Sequence, residues 1–407
     1  MPVSSASPFS RLALFFLVVL GCSGTLQAQL RTASSSPSRP HDPLTTAGFD
    51  HFYNLEFDRA VDDFQRVLVK HPDDPFAINH VLTAVLFREL YRIGALNTGE
   101  YTNNSFINAP HHEADTAVKA QIKALVGRAL AAEQTRLHND PKDVDALYAR
   151  GVTRAQFATY TALVEHAWFS ALRNAVGARR DHEKVLELSP DYVDAKLVVG
   201  AHNYVLGTLP WGVKVAASLV GFSGNKQKGI AYLKEAAAGN GEASTDSKIV
   251  LILFLRREGR FEEALQIAGQ LVDDFPRSSL LKLEEGNLLR AVGKPAEAAA
   301  IYRQIWDSGR AGHYPAQKYQ TAAIALGDLL RNQKDYPGAL AAYEMLNSLP
   351  EADPDLKQKA SLQAGEIYDL LKQRDMAVRK YQEVITLNAS NEQADSARRL
   401  MKTAYRE

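Results

Sequence analysis

Cysteine is almost absent. Cys22 is the only one in 407 residues. A lone thiol excludes an internal disulfide, a Cys-based zinc site and a CxxC redox pair. Charge of one sign is lacking too: Lys+Arg and Asp+Glu both number 47, for a formal net charge of +0. A nucleic-acid binder would carry a basic excess, so that class is not expected. Catalytic signatures are missing as well. There is no G-x-x-x-x-G-K-[ST] loop and no H-E-x-x-H helix, and "GFSGN" at Gly221 breaks the G-x-S-x-G elbow. No nucleotide, zinc or other cofactor is implied.

What is present is a globular composition, 46% hydrophobic and 23% charged. Arg11 precedes the apolar run Leu12 to Leu20. The run is too short to span a bilayer and has the length of a signal-peptide core. Cleavage after Ala28 in "TLQAQ" leaves a mature chain without cysteine and so without a Cys nucleophile. The alternative, "VLGC", resembles a bacterial lipoprotein box with lipid on Cys22, although Leu20 is bulkier than that box prefers. Either way the chain is expected to be exported, to the periplasm or the outer membrane. The expected division is a signal peptide over 1–28, a linker over 29–43, irregular helical repeats over 44–242 and regular repeats over 243–407.

The stretch "YNLEFDRAVDDFQRVLVKHPDD" sets the pattern of the rest. Ala60, Val61, Phe64, Val67 and Leu68 form one apolar stripe of a helix that Pro72 terminates. An isolated helix of this length is marginal in water, so the stripe must pack on a neighbour. Gly48, Ala60 and Phe64 recur in register as Gly286, Ala298 and Tyr302, as Gly327, Ala339 and Tyr343, and as Gly365, Ala377 and Tyr381. Ala264 and Pro276 mark a further copy. The small residues suit a close crossing of two antiparallel helices, with the aromatic filling space toward the next pair. Gly259 and Gly293 suit a left-handed turn between the two helices.

This pattern resembles the tetratricopeptide repeat. The resemblance runs from Ala47 to Leu387 with gaps, and the large residue expected early in the first helix is absent. The N-terminal half also resembles secreted bacterial tetratricopeptide proteins and a mitochondrial outer-membrane family, which implies no more than the same fold. The expected fold is all-α, a helical-repeat solenoid of about eight helix pairs with a polar C-terminal capping helix around Ala394, Ala397 and Met401. Gly151 and Gly200 repeat the glycine position in the middle, where Pro190 comes late and predicts lengthened helices.

Stacked pairs imply a concave surface lined by first helices, hence a non-enzymatic scaffold for a protein or peptide partner, for example in envelope assembly. Arg256, Arg290 and Arg331 recur at one position of three consecutive repeats and are candidates to hold a carboxylate or an acidic segment. Asn287, Asp328 and Glu366 follow the repeat glycines on the same helices. The insertion "LPWGVKVAASLVGF", with Trp211 and Phe222, reads as a buried closure or as an apolar docking surface with peripheral membrane contact. The competing function is an envelope hydrolase whose site gathers Glu165, His166, His182 and His202; packed histidines are the simpler reading. His111, His112, Glu113 and Asp115 read as a polar loop before a helix rather than as a metal site.

Overall fold

The computed structural model describes residues 42–96, 113–208, 223–314 and 317–407. Among them are seventeen α-helices and no strand. They divide as eight pairs and a final single helix. The pairs are α1 (Pro43–Tyr53) with α2 (Phe57–Lys70), α3 (Pro75–Arg92) with α4 (Thr116–Asn139), and α5 (Val144–Leu163) with α6 (Trp168–Leu188). Then come α7 (Lys196–Gly207) with α8 (Lys226–Ala238), and α9 (Ser244–Arg257) with α10 (Phe261–Asp274). The last three are α11 (Ser279–Ala291) with α12 (Pro295–Arg310), α13 (Thr321–Asn332) with α14 (Tyr336–Asn347), and α15 (Pro354–Leu370) with α16 (Arg374–Leu387). Helix α17 (Glu392–Lys402) closes the series. The chain forms two compact units, Met1–Ile267 and Ala268–Glu407. The boundary falls within α10, later than the change from irregular to regular repeats that the sequence marks at 242.

Local chemistry sets the helix starts. Asp42, Asp74, Asp115, Asp143, Ser278, Asp335, Asp353 and Asn391 each accept a backbone N–H of the helix they precede. Pro43, Pro75, Pro295 and Pro354 occupy the first turn, where a missing N–H costs nothing. The first described helix is thus capped by Asp42, within the last two residues of the expected linker. Gly259 and Gly293 take φ of +70° and +79° in the turns between paired helices, as the sequence predicts. Leu55, Lys334 and Lys372 hold the same left-handed conformation in the turns that lack glycine.

The repeat glycines are small for a definite reason. A methyl group on Gly48 would sit 2.5 Å from the Phe64 ring, one on Gly286 2.6 Å from Tyr302, and one on Gly365 2.5 Å from Tyr381. Gly327 meets Tyr343 in the same way. The sequence reading sends the aromatic toward the next pair; the structure instead lays its ring on the glycine of its own pair. Tyr302 and Tyr343 then turn their hydroxyls to Asn287 and Asp328, one residue past the glycine. Ala264, Ala298, Ala339 and Ala377 are fully buried at the crossings. The lengthened helices are α5 and α6, with 20 and 21 residues.

Candidate interaction surface

First helices differ in how they are buried. In α3, fifteen of eighteen residues are buried, and in α5 fifteen of twenty. A helix buried on every side presents no open face. Polar groups are buried with them and bonded to one another. Tyr53 of α1 donates to Asp246 of α9 at 3.1 Å, and His80 of α3 lies 3.5 Å from Glu242 just before α9. First helices far apart in sequence are thus tied together inside this unit.

Between α3, α4 and α5 lies a second buried cluster. The Thr153 hydroxyl oxygen is 2.7 Å from Asn79 Oδ1, 2.6 Å from Glu133 Oε1 and 3.1 Å from the Ala149 carbonyl. Asn79 spends its amide N–H on Ala149 at 3.0 Å. One hydroxyl proton cannot serve three acceptors, so the cluster is completed when Glu133 carries a proton of its own. Burial pushes the Glu133 carboxyl up to about 7, against the opposing pull of Thr153. These groups were not legible as a cluster, because Asn79, Glu133 and Thr153 follow no motif.

In the second unit α11 and α13 are less enclosed. Only five of thirteen residues of α11 and six of twelve of α13 are buried. Arg290 on α11 is exposed, and no described residue bonds its guanidinium. Arg331 on α13 reaches across to α15, pairing with Glu366 at 2.6 Å and with Gln363. Burial raises the Glu366 carboxyl against the pull of that guanidinium. Asn287 and Asp328 accept the tyrosine hydroxyls of their own pairs at 2.9 and 2.7 Å. Five of the six candidate partner-binding residues, Arg256 among them, are therefore engaged within the protein. Arg256, half-buried on α9, belongs to the first unit. Trp211, Phe222, Cys22, His111 and His112 lie outside the described residues, as does the targeting segment.

The middle histidines have separate surroundings. His182 lies against Gly151, where other pairs place Phe or Tyr, and its Nδ1 is 2.8 Å from the Ala178 carbonyl. Burial lowers its pKa to about 4. His202 is pushed down to about 3, by burial first and by Arg179 second. His166 takes φ of +52° between α5 and α6 and meets Trp168 edge-on. Glu165 is occupied by Lys123 at 2.5 Å and Tyr160 at 3.1 Å. Among the described residues no group of three or more His, Cys, Asp or Glu could hold a metal ion. No described helix is long and apolar enough to cross a membrane.

One unit of construction therefore recurs: two antiparallel helices, a glycine on the first under an aromatic of the second, and an alanine at the crossing. Residues 193–311 match the family model described as Iml2/Tetratricopeptide repeat protein 39. The chain has a tetratricopeptide-repeat type of fold. The matched stretch is less than a third of the chain and includes pairs from α7 to α12. No curated protein matches the sequence. Among solved structures, Pseudomonas aeruginosa pilF is 17% identical, with 64% of this chain and 99% of that one covered and a TM-score of 0.37. The human IFIT1 dimer with m7Gppp-AAAA is 13% identical over 98% of this chain and 88% of that one, with a TM-score of 0.41. A tetratricopeptide repeat protein from Parabacteroides merdae is 12% identical over 88% of this chain and 98% of that one, with a TM-score of 0.29. At this level of superposition the likenesses say nothing of function.

Proposed function

We propose that this protein is an exported scaffold that holds a protein or peptide partner on the first-helix side of its second unit, in the service of envelope assembly. The tetratricopeptide fold is that of an interaction scaffold. The observation that carries the choice of surface is the contrast in burial: α3 and α5 are enclosed on all sides, whereas no more than half of the residues of α11 and α13 are buried. Arg290, exposed on that side, suits an acidic segment of the partner. The apolar run Leu12 to Leu20 supports export.

Photocrosslinking in the native host tests the reading. A photoreactive residue replacing Arg290 on α11 should capture one defined protein. The same residue replacing Gln304, exposed on the second helix α12, should not. Absence of any adduct from position 290, or equal adducts from both positions, would overturn the proposal.

A further inference from the structure

The segment that follows α17 behaves as a ligand of the second unit rather than as part of its core. Thr403 is extended, with φ −135° and ψ 120°, and the chain continues without helix to Glu407. The Tyr405 N–H donates to Asp369 Oδ2 on α15 at 2.8 Å. The Tyr405 ring lies beneath the Arg331 guanidinium of α13, 5.2 Å from its centroid. Segment 403–407 therefore touches two successive first helices, on the side where a partner is proposed to sit.

Both receiving groups are fixed without it. Asp369 accepts Arg374 Nη1 at 2.8 and 2.9 Å and the Tyr381 hydroxyl at 2.8 Å, and its side chain is 1% exposed. Arg331 is held by Glu366 and Gln363. Arg374 also binds the Leu400 and Met401 carbonyls, so α17 ends firmly before the segment begins. The apolar core of the last pair gathers Ala377, Tyr381, Val384 and Ala397, with Leu400 and Met401 against it; Tyr405 is not a member. The side chain of Tyr405 stays half-buried, and Thr403, Arg406 and Glu407 are exposed. A seat that is ordered by its own framework and filled by a short extended strand is preorganised for binding.

We infer that Arg331 and Asp369 form a seat for an extended protein segment carrying an aromatic side chain, and that Thr403–Glu407 occupies this seat in cis until a partner of that chemistry displaces it. The inference rests on the scaffold reading above and adds the chemistry of the partner segment and its control. Recognition needs a backbone N–H for Asp369 and an aromatic face for Arg331. Tethering makes the resident segment a strong competitor, because a short linker gives an effective concentration on the order of millimolar.

The test uses the chain ended after Lys402, the full chain, and a fluorescein-labelled peptide of residues Lys402–Glu407. The shortened chain should bind the peptide in polarisation titrations, and the full chain should bind it at least about tenfold more weakly. Tyr405→Ala in the peptide, or Arg331→Ala in the shortened chain, should each weaken binding by a similar factor. The full chain carrying Tyr405→Ala should bind the unaltered peptide better than the parent does. No binding by a folded shortened chain, or equal binding by both chains, would overturn the inference. So would loss of folding in both the shortened chain and the full chain carrying Tyr405→Ala, since the segment would then belong to the fold. A concentration-dependent dimer of the full chain, abolished by Tyr405→Ala, would assign the seat to a second copy and overturn it as well. The two proposals fail separately. Adducts from position 290 without peptide binding would retire the seat alone, and peptide binding without adducts would retire the scaffold reading alone.

Discussion

Single residues carry the packing of this protein, and the repeat glycines carry most of it. A methyl group on Gly286 would meet the Tyr302 ring at 2.6 Å. The ring cannot retreat freely, because its hydroxyl is tied to Asn287 at 2.9 Å. Gly286→Ala is expected to destabilise the second unit by about 1–3 kcal/mol, read as a lowered urea midpoint. Protonation acts in the same way on the first unit. His182 titrates near 4 when folded against an ordinary 6.5, because burial penalises its cation. Its stabilisation is therefore present above pH 6.5 and is lost as pH falls toward 4, on the order of 3 kcal/mol in all. Glu133 has the opposite sign. Its pKa is raised to about 7 from 4.5, so stability is lost as pH rises through 7. Between about pH 4.5 and 6.5 the two slopes oppose each other, so together these groups change the stability little there. Urea titrations across about pH 4 to 8 should show Glu133→Gln unmasking a stability that falls toward acid, and His182→Phe one that falls as pH rises toward 7. Phe is apt at 182 because Phe64 fills that role over Gly48.

Elements are joined by turns whose geometry is uniform while their residues are not. Gly259 and Gly293 reach positive φ freely, but Lys334 and Lys372 are held at +62° and +60° against the crowding of a Cβ. Lys334→Gly should therefore leave stability unchanged or raise it by up to about 1 kcal/mol, as strain relief offsets the entropy of glycine. A thermal melt distinguishes this from the loss expected for glycine in a helix interior. Between elements, the Arg331–Glu366 pair is half-buried and links two first helices. Glu366→Ala would leave a guanidinium with fewer partners in a partly dry place. It should cost more than a surface pair, which is worth roughly 0–1 kcal/mol.

At the scale of the molecule, the chain is a series of pairs in two compact units. Stability in such a series is a sum of repeat and nearest-neighbour contributions. Hydrogen exchange on the Gly286→Ala protein should accordingly show faster exchange in α11 and α12 and unchanged protection in α3 and α5. Export is the other prediction at this scale. Protein recovered from its host should begin near Gln29 or carry a blocked, lipidated Cys22. An intact Met1 would remove the protein from the exported class.

Sequence alone determined the all-α fold, the approximate number of helix pairs among the described residues, the capping helix and the left-handed turns at Gly259 and Gly293. Those features rest on local chemistry: glycine, proline and a periodic apolar stripe act within a few residues of themselves, wherever the chain lies. Sequence also placed the small residues at the crossings, because four copies in register compare the same position in four surroundings. Tertiary structure decided which first-helix faces remain open. An amphipathic stripe shows which side of a helix is buried against its partner, yet α3 and α5 are enclosed on their polar sides too, by Glu133 and by a partner as distant as Glu242. It also decided that Asn287, Asp328 and Arg331 are engaged inside the protein, and that Asp369 and Tyr405 come together. Such contacts join residues 15 to 193 positions apart, and the side chains alone carry no record of which neighbours the stacking will bring.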